Sequence, residues 1–245
     1  MSYPPSTSCG EIGKILHIIL NDVFAYKTNG TFIEIGAHDG MRGSFTYNLA
    51  HIGWHGLYCE PVPIYYNKCL NNHSNHPNVT TLNVAAGANE ETLQIIEADT
   101  LSTMDNDTLE VYKNASWTSH IVKNKNMIDV TVKKLDTILE EANINNIDVM
   151  VLDVEGYEVN VFKGFNINHY KPKMIIIEIG DQFADYVNNA KIMEKFATLR
   201  NILSDAGYKL ICNDVVDNVY VVDELFTTEL RTKFSTMIKY PQYTR

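Results

Sequence analysis

The sequence predicts a single α/β domain wound on both faces of a mostly parallel sheet, and three observations carry that expectation. Thr31–Ile35 is a short apolar, β-branched run that ends in Gly36-Ala37-His38-Asp39-Gly40, which suits a strand buried on both faces. A second strand over 56–59 ends in Glu60-Pro61. An acid there, roughly 20 residues beyond a glycine turn, can accept hydrogen bonds from both hydroxyls of a ribose. The last two strands, 208–212 and 218–222, are separated by a polar turn and read as a hairpin.

Size and composition agree with one domain. A chain of 245 residues with 45% hydrophobic and 20% charged residues has the apolar material for a full core. The formal net charge of −10 disfavours general attraction to nucleic acid or an anionic membrane surface. No apolar run reaches membrane-spanning length, and no leader pattern opens the chain, so no membrane insertion and a cytoplasmic location are expected. Cys9, Cys59, Cys69 and Cys212 lack metal-type spacing and read as reduced thiols. The oligomeric state leaves no mark in the sequence.

In chain order, residues 11–26 carry Ile12, Ile15, Leu16, Ile19, Val23 and Phe24 on one helical stripe, a helix expected to cover an edge of the sheet. Residues 1–30 form this N-terminal part, and 31–245 the main domain. The glycines after 31–35 let the backbone turn sharply and approach a ligand. A helix over 64–71 follows, then a third strand over 79–84 that ends in Ala85-Ala86-Gly87, small residues that leave room for a flat ring. Residues 91–97 and 127–133 alternate; they fit an antiparallel flap or two separate strands. Between them, 99–125 is polar and long for a connection, which fits a flexible lid or substrate loop; Trp117, Ser119 and His120 are its candidate acceptor contacts. A helix over 135–142 leads to a buried strand over 147–152 that ends in Asp153-Val154-Glu155-Gly156-Tyr157-Glu158. Another strand over 174–179 carries Glu178, and 191–206 is a helix with Ile192, Phe196, Leu199 and Leu203 on one face.

Two of these blocks resemble the FkbM-type methyltransferases. The family opens roughly E-I-G-A-N-D-G, then S-N-T, G-W-x-G and E-P. Glu34, Gly36, Ala37, Asp39, Gly40, Ser44, Thr46, Gly53, Trp54, Gly56, Glu60 and Pro61 match it. His38 stands where the family usually has Asn, and Phe45 also departs. The second block, roughly I-D-x-x-x-L-D-x-E-G-x-E-x-x-V/L-x-G, is matched by Ile147, Asp148, Leu152, Asp153, Glu155, Gly156, Glu158 and Gly164. The resemblance implies a Rossmann-like sheet of about seven strands with an antiparallel C-terminal strand, the class I methyltransferase architecture.

It also implies S-adenosylmethionine as cofactor and a hydroxyl of a carbohydrate or glycosylated small molecule as acceptor. On that reading Glu60 and Pro61 border the ribose, 36–40 and Ser44 lie along the methionine part, and Ala85 and Ala86 border the adenine. Glu34 and Asp153 face the positive sulfur. Asp153 is the first choice as base, Glu178 and His38 are further catalytic candidates, and Glu155 contacts the acceptor. No cluster has the ligand set of a structural zinc site, although strand-end carboxylates such as Asp153 suit a divalent cation. Two rivals share the Gly36 and Glu60 geometry: a nicotinamide-dependent oxidoreductase, and a non-catalytic module derived from a methyltransferase.

Overall fold

A computed structural model describes residues 2–8 and 10–238. Cys9 lies outside the described residues; Cys59, Cys69 and Cys212 are free and buried. The strands are β1 Thr31–Ile35, β2 His55–Cys59, β3 Val79–Leu82, β4 Ala85–Gly87, β5 Glu91–Ile96, β6 Met127–Lys134, β7 Val149–Leu152, β8 Met174–Glu178, β9 Tyr208–Asn213 and β10 Asp217–Val222. The helices are α1 Glu11–Phe24, α2 Tyr47–His51, α3 Pro63–Asn72, α4 Asn106–Asn114, α5 Ser119–Val122, α6 Leu135–Glu141, α7 Glu158–Lys163, α8 Ile167–Tyr170, α9 Ala190–Asp205 and α10 Thr228–Met237.

Seven strands form one sheet in the order β3-β2-β1-β7-β8-β10-β9. β1, β2, β3, β7 and β8 run parallel, and β10 is antiparallel to both of its neighbours. The predicted hairpin is therefore present, with its second strand inserted inside the first. The order reverses between β1 and β7, so the carboxyl ends of β1, β2, β7 and β8 open onto one crevice, the place where such sheets take ligands.

Strand alternation divides the core in two. Phe32, Val149, Val151, Met174 and Ile176 point to a layer that holds Ile12, Leu16 and Ile19 of α1 and Phe234 of α10. Ile33, Ile35, Met150, Leu152, Ile175 and Ile177 point to the opposite layer, with Leu135 and Ile138 of α6 and Leu199 and Leu203 of α9. Helix α1 thus lies across the central strands rather than along an edge. Its stripe packs where the sheet is most apolar, because burial there removes the most surface from water.

Two sequence expectations change and one open alternative is decided. The stretch 79–87 is not one strand. β3 pairs with β2, while β4 leaves to join a second, three-stranded sheet in the order β4-β6-β5. β5 and β6 pair antiparallel from Glu91↔Val132 to Ile96↔Met127, which decides between the flap and separate strands in favour of the flap. The segment 99–125 is not an irregular loop, since it holds a short turn of helix at Asp99–Leu101, then α4 and α5. Asp105 caps α4 by accepting from the Thr108 amide at 2.8 Å.

Candidate active site

The first wall of the crevice is the bend after β1. The Gly36 and Ala37 amides donate to the Cys59 carbonyl at 3.0 and 3.1 Å, which splices the bend to the end of β2. Gly36 has φ +85, and a Cβ there would overlap the Asp153 carbonyl. This glycine is demanded by the neighbouring strand end as well as by the turn. Glu60 then reaches back into the bend: its Oε2 accepts from the His38 amide and its Oε1 from the Val62 amide, both at 2.8 Å. The acid of β2 and the glycine bend of β1 thus form one corner.

Around that corner lies a cleft that contains about 870 Å³ of empty space, part of it open to solvent. Glu34, Gly36, Ala37, His38, Ser44, Glu60, Pro61, Ala85, Ala86, Asp153 and Glu155, all candidates from the sequence, line it. Gly40 does not. Its Cα faces Cys69 and His73, and its carbonyl accepts from His73 Nε2 at 2.8 Å, so it anchors the loop from behind. Glu34 accepts from Ser44 Oγ at 2.8 Å and from Thr46 Oγ1, which ties the bottom of the cleft to the loop before α2. His38 is held rather than free: its ring packs on Tyr65 and its Nε2 lies 2.9 Å from Asp99 Oδ1. Burial lowers its pKa.

The second wall is the turn after β7. Glu158 Oε1 accepts from the Val154 and Gly156 amides, and Thr103 Oγ1 donates to the Glu155 carbonyl at 2.7 Å. Held in this way, Glu155 adopts φ +54, an uncommon conformation for a residue with a side chain. Its carboxylate accepts from the Tyr112 hydroxyl, to which Tyr186 donates at 3.2 Å. Asp153, Glu155 and Glu178 each bring a carboxylate oxygen within 4.8 Å of the others. Such an all-oxygen set suits protons shared among acids or a hard cation.

Burial is the largest cause of the shifted acidities. It raises Glu34, Glu60 and Glu158 to about 7 and Asp153 to about 6, and it pushes Glu155 and Glu178 well above the ordinary range. A cleft whose carboxyls are this costly to ionise is stabilised by a cation placed among them, and a sulfonium group meets that requirement. Glu60 and the small Ala85 and Ala86 line the same cleft.

A second cavity opens beside the cleft, with about 1550 Å³ of empty space that includes open solvent. It is lined by Tyr112, Trp117, Phe183 and Tyr186, with Glu155, Glu178, Gln182 and Asp185 among them. Among the described residues Glu155 is the one common to both linings. Trp117 stands in this cavity, with its indole N–H donating to Asp185 Oδ2 at 2.7 Å. Ser119 and His120 line neither cavity; they lie on α5, one turn past the tryptophan. Sequence reasoning missed Arg42 and Asp99 in the cleft and the whole 182–186 wall of the second cavity. The aromatic–acid alternation of Phe183, Asp185 and Tyr186 just past an acid-ended strand was the available signal.

A sheet of this order with an antiparallel strand next to last, and an acid-ended β2 beside a glycine bend, defines the class I methyltransferase fold. The sequence matches the methyltransferase FkbM domain over residues 34–210, well over half of the chain, and the protein belongs to that family. Its class is therefore S-adenosylmethionine-dependent methyltransferase, which sets aside the nicotinamide oxidoreductase. No curated protein matches it. Among solved structures it is similar to an O-methyltransferase from Bacillus cereus in complex with SAH, at 12% identity over 90% of this chain and 84% of that one, TM-score 0.46. It is also similar to the fibrillarin pre-rRNA processing protein of Methanococcus jannaschii, at 16% identity over 80% and 68%, TM-score 0.42. A third is the precorrin-6y C5,15-methyltransferase of Geobacter metallireducens GS-15, at 10% identity over 85% and 87%, TM-score 0.43.

Proposed function

We propose that the protein methylates a hydroxyl oxygen of a sugar, on a glycan or a glycosylated small molecule, with S-adenosylmethionine as methyl donor. The observation that carries this reading is the pair of cavities that meet at Glu155. On this reading Glu60 accepts from the ribose hydroxyls, Ala85 and Ala86 border the adenine, and Glu34 and Asp153 flank the sulfur. Bound there, the cofactor supplies the methyl group. The chain's own work is to orient the acceptor oxygen, and orientation of this kind is worth about 7–11 kcal/mol in favourable cases.

Glu155 is favoured over Asp153 as the group that takes the hydroxyl proton. Asp153 borders the cleft alone, whereas Glu155 borders both spaces. The Tyr112 hydroxyl fixes one of its oxygens, and its raised pKa makes it an effective proton acceptor once ionised. The second cavity supports a carbohydrate in two ways: Trp117 and Phe183 offer faces for the C–H side of a sugar ring, and its acids and Gln182 can accept or donate to hydroxyls. Among the described residues its lining contains no Lys, Arg or His, which disfavours phosphorylated acceptors and agrees with the overall charge of −10. Asp99 and Trp117 reach the two cavities from 99–125, so this helical segment is proposed as the lid. The free cysteines support a cytoplasmic setting.

A screen with methyl-labelled S-adenosylmethionine and a panel of neutral glycosides and glycans tests the proposal. Label in a glycoside, found at oxygen by mass spectrometry, is the expected result. Cofactor binding without transfer to any member of the panel would return the protein to the non-catalytic class.

A further inference from the structure

The cleft has an excess of acids and a shortage of cations. Glu34, Glu60, Asp99, Asp153 and Glu155 line it, while Arg42 is its only Lys or Arg and His38 its only His among the described residues. His38 has its pKa lowered by burial. Arg42 is thus the one permanent positive charge in the lining. The methyl donor carries a positive sulfur and an ammonium group, which these acids suit, but also an α-carboxylate, which they repel.

Arg42 is placed to resolve that conflict. Asp39 Oδ1 accepts from the Met41 and Arg42 amides at 2.9 and 2.7 Å, so the turn that carries Arg42 is fixed. Ser44, two residues on, is pinned to Glu34. The arginine therefore stands on the wall between the glycine bend and Ser44. Its Nη2 lies 2.9 Å from Asp99 Oδ2, and the two side chains are 57% and 47% exposed. A screened pair of that kind contributes little to stability and exchanges readily.

We propose that Arg42 binds the α-carboxylate at the amino-acid end of the donor, and that Asp99 holds the guanidinium in place until that carboxylate replaces it. The inference rests on the methyltransferase reading of the cleft. A guanidinium is the suitable group because its parallel N–H donors match a carboxylate two to two.

Calorimetric titration with S-adenosylhomocysteine and with 5′-methylthioadenosine, which lacks the amino-acid group, tests it on the wild type, Arg42→Gln and Arg42→Lys. The side chain is exposed, so either variant is expected to fold, and a melting curve checks this. Arg42→Gln is expected to weaken S-adenosylhomocysteine about 10- to 100-fold, as loss of a charge-assisted pair does, and to leave methylthioadenosine within about twofold. Arg42→Lys is expected to fall between. Equal weakening of both ligands, or of neither, overturns the assignment while leaving the methyltransferase reading intact. Failure of the wild type to bind either ligand overturns both.

Discussion

The two cavities are built by different means. The first cleft is assembled from strand ends: Gly36, Glu60 and Asp153 each follow a parallel strand, and the Gly36 amide on the Cys59 carbonyl and the His38 amide on the Glu60 carboxylate lock the first two bends together. The second cavity draws mostly on helices and loops, among them Tyr112, Trp117, Phe183 and Val216, and takes only Glu178 at the end of β8 and Glu155 just past β7 from the sheet's edge. A site on strand ends inherits the precision of the sheet. A site on loops inherits the freedom to change its occupant, which is how one fold serves many acceptors.

The sharpest way to break this contrast is at the junction. Glu155→Gln is expected to lower turnover by about 10²–10⁴ and to leave S-adenosylhomocysteine binding within a few-fold; unchanged turnover on the best-labelled glycoside would remove it from the chemistry. Asp153→Asn should likewise spare binding and slow turnover, by less. Next comes the strand-end side: Glu60→Ala is expected to cost about 10²-fold in affinity for S-adenosylhomocysteine, because two ribose hydroxyls lose a charged acceptor. Tight binding by that variant in a calorimeter would contradict the ribose role.

Acidity gives a smaller, graded effect. Folded carboxyls with raised pKa keep protons that the unfolded chain has released. Their contribution to stability is therefore full below about pH 4 and is lost as pH rises through 6 to 7. The free protein should melt at lower temperature as pH rises from 5 to 8. Over the same range S-adenosylmethionine, with its charged sulfur, should gain more affinity than S-adenosylhomocysteine; parallel curves would separate Glu34 and Asp153 from the sulfur. The smallest effect is expected at Trp117→Leu, a rise of a few-fold in acceptor KM with kcat kept, if the indole stacks on the acceptor as proposed without touching the reacting atoms.

What was legible in the sequence follows the same division. The β1 bend and Glu60 lie within thirty residues, and their chemistry is local, so residue type and spacing were enough. β4 was read as the tail of β3 because Ala85-Ala86-Gly87 is too short and too small to show alternation. Helix α10 went unread although Leu230, Phe234 and Met237 share one face, since the stripe is short and only Phe234 is fully buried. The segment 99–125 looked irregular for a related reason: α4 is polar outside and is held by the Asp105 cap and the Lys195–Asp105 ion pair, features that hydrophobic period does not record. Trp117 was singled out from the same polar stretch, and the structure puts it in the lining of the second cavity. Ser119 and His120 were grouped with it by proximity in sequence, which α5 turns away from both cavities.

The protein's two tryptophans report on two different events. Trp54 is sealed in the core, with its indole N–H on the Lys27 carbonyl at 3.0 Å, whereas Trp117 is 45% exposed at the mouth of the second cavity. Blue emission from the first tracks unfolding, and red emission from the second tracks whatever settles against it. A compound that settles against Trp117 can be read by that red edge alone, in unlabelled protein and before any chemistry has been seen.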